Sequence, residues 1–154
     1  MKGPIVTSSR LNASADAVWE RAASFEGIND EFAGLLKMTA PPEVRAAGLN
    51  GVRLGERLCR SWILMFGLIP IDYDDITVLE LDPPHGFFER SPMLSNRLWE
   101  HRRTIEPQDD ASCIVTDTIS WEPRRIPLTP AAIYRQVFAL RHRRLRKHFG
   151  GTPA

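Results

Sequence analysis

From residue 43 to residue 122 the sequence carries only strand patterns, and a single long helix follows after an extended connector rich in proline. That order is restrictive. Strands joined by short turns pair antiparallel, and a twisted sheet of that size has a concave face that one helix can close to make a core.

The pattern before residue 43 adds a strand and two helices. "IVTSSRL" (5–11) is rich in β-branched residues and predicts the first strand. Ser14 can cap a helix from Ala15 to about Phe25, with Val18, Trp19 and Ala22 on one face. A second short helix is expected over 28–37, capped by Asn29 or Asp30 and apolar at Phe32, Leu35 and Leu36. "EVRAA" (43–47) reads as a short strand. Segments 56–66 and 71–81 flank "GLIP" as a hairpin. Strands are also expected at 87–90, 97–106 and 112–122. Pro123, Pro127 and Pro130 keep the connector extended, and Thr129–Pro130 suits the start of a helix that Gly150–Gly151 stops.

The bulk numbers fit one domain over residues 1–154. Twenty Lys and Arg stand against 19 Asp and Glu, a net charge of +1, which argues against a protein built for nucleic acid. Cys59 and Cys113 lie far apart in predicted strands and suggest reduced structural thiols. The most apolar stretch, "WILMFGLIPI" (62–71), is too short to span a bilayer, and no signal-peptide core is visible. A cytoplasmic location with no integral membrane association follows as the expectation.

The basic run "VFALRHRRLRKHF" (137–149) is amphipathic when wound as a helix. Tyr134, Val137, Phe138, Leu145 and Phe149 share one side, while Arg135, Arg143, Arg146 and Lys147 fall opposite. Arg141 breaks the pattern, projecting into the apolar stripe with His142 beside it. A guanidinium there either snorkels outward, forms a structural ion pair, or contacts a ligand.

A matching irregularity occurs in two strands. Trp99, His101, Arg103 and Ile105 share one face of segment 97–106, and Cys113, Val115, Asp117, Ile119 and Trp121 share one face of 112–122. A hairpin centred on Asp109 puts His101 opposite Asp117; a register moved by two residues puts Arg103 there instead. In either case an acid meets a base on an apolar face, as in a small-molecule cavity or in a polar cluster that fixes register.

These segments resemble a known superfamily. "SADAVWERAASFEGI", "LWEHRRTIEP", "CIVTDTISWEP" and "VFALRHRRLRKHF" are similar, in order, to segments of the START/SRPBCC superfamily, the birch-pollen-allergen-like helix-grip proteins, in its bacterial polyketide cyclase/dehydrase-like branch. The resemblance implies an α+β fold, with an antiparallel seven-stranded sheet wrapped around a long C-terminal helix and two short helices after strand 1. It also implies a cavity for lipids, polyketides or similar molecules, without a shared catalytic set.

The expected ligand contacts are Tyr73, Trp99, His101, Arg103, Asp117, Trp121, Tyr134, Phe138, Arg141 and His142, with Tyr73 facing inward only if its strand alternates without a bulge. No cofactor or metal is expected, since the glycines of 48–56 precede no helix and the four histidines show no ligand spacing. The leading expectation is a monomer or homodimer that binds a hydrophobic small molecule. One alternative is a cyclase or dehydrase with His101 and Asp117 as acid and base and Arg141 steadying an oxyanion. Another is an interaction module using Arg143, Arg146 and Lys147.

Overall fold

The computed structural model describes residues 1–126 and 129–154, so Pro127 lies outside the described residues. Strand β1 (Lys2–Leu11) leads into helices α1 (Ala15–Ala22) and α2 (Phe25–Glu31). Each helix starts at a serine whose hydroxyl accepts a backbone N–H: Ser14 from Ala17 at 3.2 Å and Ser24 from Gly27 at 3.0 Å. The second cap starts α2 three residues before the expected Ile28. Asn29 caps nothing. Its amide instead bonds both backbone groups of Met38, at 2.7 and 3.0 Å, and holds the strand β2 (Leu36–Met38) where helix was expected.

"EVRAA" is likewise helical, as α3 (Pro42–Ala47), because Pro42 presets the first turn and two alanines favour its continuation. The remaining elements are β3 (Arg57–Met65), β4 (Ile69–Asp82), β5 (Gly86–Ser91), β6 (Asn96–Asp109), β7 (Ser112–Pro123), α4 (Ala131–Phe149) and β8 (Gly151–Pro153). Pro130, rather than Thr129, occupies the cap position of α4, without a side-chain cap bond.

The sheet is antiparallel, in the order β2-β3-β4-β5-β6-β7-β1-β8. Among the described residues it has eight strands, one more than the seven expected. The additional edge strand is β8, which pairs Gly151 with Leu11 beyond the end of α4. Glycine makes that return possible, since a Cβ on Gly151 would lie 1.9 Å from the carbonyl oxygen of Arg10.

Helix α4 lies against the concave face, and the apolar core falls into two parts. One gathers Leu11, Val18, Trp19, Ile105, Val115 and Leu145. The other gathers Ile5, Trp99, Ile119, Trp121, Tyr134 and Phe138. Along β6, β7 and α4 the residues between these two groups are the polar ones: His101 and Arg103, Asp117, Arg141 and His142. A charged belt therefore separates the two halves of the core.

Candidate functional site

The belt is built around Arg103, which is 1% exposed. The β6–β7 register places Arg103 opposite Asp117, the shifted alternative of the two the sequence allows. Its Nε and Nη2 donate to the two Asp117 oxygens at 2.8 and 2.6 Å. Its Nη1 and Nη2 donate to Glu31 of α2 at 3.1 and 2.7 Å. His101 Nε2 lies 2.7 Å from Asp117 Oδ1 and His142 Nε2 lies 3.0 Å from Oδ2. Four donors thus surround a carboxylate that has about four lone-pair sites, and Asp117 is saturated.

Ser9 of β1 completes the arrangement. Its hydroxyl accepts from Arg146 Nη1 and stands 2.8 Å from His142 Nδ1. Arg146, expected on the outer face, therefore turns back toward the sheet, while Arg143 and Lys147 stay exposed.

The charges balance inside this belt. Burial opposes ionisation of Asp117, but the Arg103 guanidinium and then His101 outweigh it and hold the carboxyl well below its usual range. Burial works against Glu31 too, and Arg103 and Arg141 still lower it. Arg103 in turn is deprotonated less readily than usual, since Asp117 and Glu31 overcome its own burial. Arg141 stands with its Nε 3.5 Å from Glu31, its guanidinium 5.0 Å from the ring centres of both Phe32 and Phe138.

In front of the belt, between the sheet and α4, lies a cavity of about 400 Å³. Its walls are mostly apolar and include Phe25, Ile28, Ile76, Val78, Trp99, Val137 and Phe138. Leu35, Ile71 and Ile133 line it yet are solvent-exposed, so they mark its mouth. Beyond them the β3–β4 turn presents Phe66 and Leu68 to solvent, the latter 80% exposed.

The polar groups on the wall are few: Asp72, Asp74, Glu89, His101, Thr129, Tyr134 and Arg141. Asp72 is held by the Ser95 hydroxyl and backbone N–H. Glu89 accepts from Ser91 at 2.8 Å and faces His101 Nδ1 at 4.0 Å. Asp74 is pushed well above the usual carboxylate range, first by burial and then by the charge of Glu89 and a hydrogen bond with it. Tyr134 accepts from Asn96 Nδ2 at 2.8 Å.

Of the ten residues the sequence suggested, Trp99, His101, Tyr134, Phe138 and Arg141 line the cavity. Arg103, Asp117 and His142 lie behind it, in the belt. Trp121 supports the wall from beneath, its ring 4.8 Å from that of Tyr134. Tyr73 faces away. A register irregularity in the β3–β4 pairing falls between Ile63 and Leu64, opposite Pro70 and Asp72, and puts Asp72 and Asp74 on the cavity side. Tyr73 then packs edge-on against Trp62 beneath the Arg60 guanidinium, 3.9 Å from its ring centre.

Sequence reasoning missed Ser9, Glu31, Asp74 and Glu89. The available signal was spacing: Glu31 follows Ile28 by three on α2, and Asp74 precedes Ile76 and Val78 by two and four on β4.

Protein CV1439 from Chromobacterium violaceum has a similar structure, at 13% identity and a TM-score of 0.71, over 97% of this chain and 99% of that one. A START superfamily protein from Mycobacterium smegmatis matches at 14% identity and a TM-score of 0.59, over 94% and 93% of the two chains. DynU16, from the dynemicin biosynthetic locus, matches at 16% identity and 0.61, over 96% of this chain and 47% of its own. With the geometry above, these likenesses show a START/SRPBCC-like helix-grip fold. The chain belongs to the family described as Domain of unknown function (DUF8410), which matches residues 9–149. Among curated proteins none matches the sequence. Among the described residues no helix is long and apolar enough to cross a membrane.

Proposed function

We propose that the protein binds a hydrophobic small molecule, a lipid, polyketide or similar compound, in the cavity between the sheet and α4. The observation that carries this reading is the cavity itself: about 400 Å³, within the range of small-molecule sites, with apolar walls and sparse polar groups. On this reading one domain over residues 1–154 works in the cytoplasm as a monomer or homodimer.

Two measurements test it. Nile red added to the purified protein should brighten and shift to the blue, and a competing ligand should displace it. Native mass spectrometry of protein from its own or a similar host should show an added mass that leaves on denaturation. The absence of both dye binding and an added mass would sink the reading.

One observation favours a second reading, an enzyme of cyclase or dehydrase type. His101 lines the cavity while its Nε2 is fixed on Asp117, which frees Nδ1 for proton transfer. Asp117, saturated by four donors, orients the imidazole, and Arg141 stands where it would steady a carbonyl or enolate oxygen. A linear poly-β-ketone incubated with the wild type should then lose water, and His101→Phe should not support that loss. Equal rates with both proteins would end the enzymatic reading and leave the carrier reading in place.

A further inference from the structure

Three buried side-chain atoms among the described residues have no hydrogen-bond partner in the protein: Ser61 Oγ, Asp74 Oδ1 and Arg141 Nε. Two of them belong to residues on the cavity wall, Asp74 on the sheet side and Arg141 on the helix side. Asp74 is 4% exposed and Arg141 is 6% exposed, so bulk water does not serve them. A buried polar atom left unpaired is costly, and a correctly placed ligand atom recovers that cost.

We propose that the cavity selects an uncharged hydrophobic molecule bearing hydroxyl or carbonyl oxygens, one accepting from Arg141 Nε and one pairing with Asp74. This rests on the cavity reading above and names the class of guest that the same site takes.

The Arg141 end fixes the ligand atom as an acceptor, because a guanidinium only donates. Its charge does not call for an anion. Arg103 and Arg141 are already matched by Glu31 and Asp117, two cations against two carboxylates in one buried belt. A ligand carboxylate would find no spare cation there. It would also face Asp72 and the Asp74–Glu89 pair, in a setting where water screens little.

A ligand ammonium fares no better at the helix end, since it offers Arg141 no acceptor and brings a second positive charge beside it. A hydroxyl or carbonyl oxygen meets both walls. Asp74 can take a hydrogen bond through its unpartnered Oδ1, and its carboxyl, raised by burial and by Glu89, can give one when protonated. Between these ends, Trp99, Phe138, Ile76 and Val137 offer only apolar surface to the ligand body.

The test uses the full chain at neutral pH and three naphthols that differ only in a second substituent: hydroxyl, carboxylate or aminomethyl. Titration calorimetry reads their affinities, with Nile red as a probe of the cavity itself. The dihydroxy compound should bind at least about tenfold more tightly than the carboxylate and the amine. Arg141→Met should weaken the dihydroxy compound by about tenfold. Arg141→Lys, which keeps a charge for Glu31 but moves the donor, should weaken it in the same direction if the first variant does not fold. Glu89→Gln, which removes one carboxylate from the cavity wall, should raise the affinity of the carboxylate by about tenfold.

Binding of the carboxylate or the amine as tight as that of the dihydroxy compound overturns the proposal. So does dihydroxy binding that neither Arg141 variant weakens, or carboxylate binding that Glu89→Gln leaves unchanged. Nile red binding with no naphthol binding overturns this selection alone and leaves the cavity reading standing. Loss of all binding, Nile red included, overturns both.

Discussion

Arg103 stands directly opposite Asp117 in the β6–β7 ladder and grips both of its carboxylate oxygens, at 2.8 and 2.6 Å. The same guanidinium reaches across to Glu31 of α2. One side chain therefore joins the sheet to the helical layer, and it does so where the two apolar halves of the core meet.

Removing that side chain leaves two carboxylates buried without their main partner. Arg103→Met should destabilise the fold by about 3–5 kcal/mol, read as a lower urea midpoint. Replacing Glu31 and Arg103 together, as Glu31→Gln with Arg103→Met, should cost less than the sum of the two single changes.

The buried acids give stability two opposite dependences on pH. Asp117 and Glu31 have lowered native pKa values, so their contribution is present above the ordinary carboxylate range and is lost as the pH falls through it. Acid unfolding should begin there, followed by circular dichroism, and Asp117→Asn should flatten the acid limb.

Asp74 runs the other way. Its native pKa is raised, so its contribution is intact below the unfolded-state value and is lost as the pH climbs toward the native one. Asp74→Asn should therefore stabilise the protein more at about pH 8 than at about pH 4, in paired denaturant titrations. A larger gain at the acidic value would show that Asp74 is ionised in the native state.

Filling the cavity separates binding from folding. Val137 is half-buried on α4 and lines the space. Val137→Phe should lower Nile red affinity by about tenfold while changing stability by less than about 1.5 kcal/mol. Unchanged dye affinity would place the dye elsewhere.

The start of β5 tolerates no side chain. Gly86 has φ +141°, and a Cβ there would lie 2.0 Å from the carbonyl oxygen of Arg103. Gly86→Ala should destabilise the protein by more than about 1 kcal/mol through the β5–β6 pairing, measured by thermal melting.

The order of elements was legible because amphipathic periodicity and turn residues are local signals. The long helix, the β6–β7 hairpin and the inward set of α4 could all be read that way. The local signals failed where tertiary contact decided the outcome. Asn29 looked like a cap and became a clamp on Met38, and Leu36–Met38 became a strand because an edge was there to receive it. The belt was half legible. Arg141, His101, Arg103 and Asp117 stood out as charges on apolar faces, but Glu31, the partner of Arg103 and Arg141, lies 72 residues from Arg103 and no periodicity links the two. Tyr73 was misplaced by one irregularity in the β3–β4 ladder, since a single extra residue exchanges the two faces of a strand.

The charged belt also decides which wall of the cavity is tied by buried charge. Helix α4 is tied at midlength by His142 to Asp117 and by Arg141 to Glu31, and swinging it off the sheet would strand those charges. Among the described residues the turn between β3 and β4 has no such anchor: Phe66 is joined to Leu35 by a backbone hydrogen bond of 2.8 Å, and Leu68 and Ile69 beside it are apolar and exposed. Helix α4 is thus the wall held by buried charge, and the hairpin beside Leu35 is the wall held by a backbone hydrogen bond.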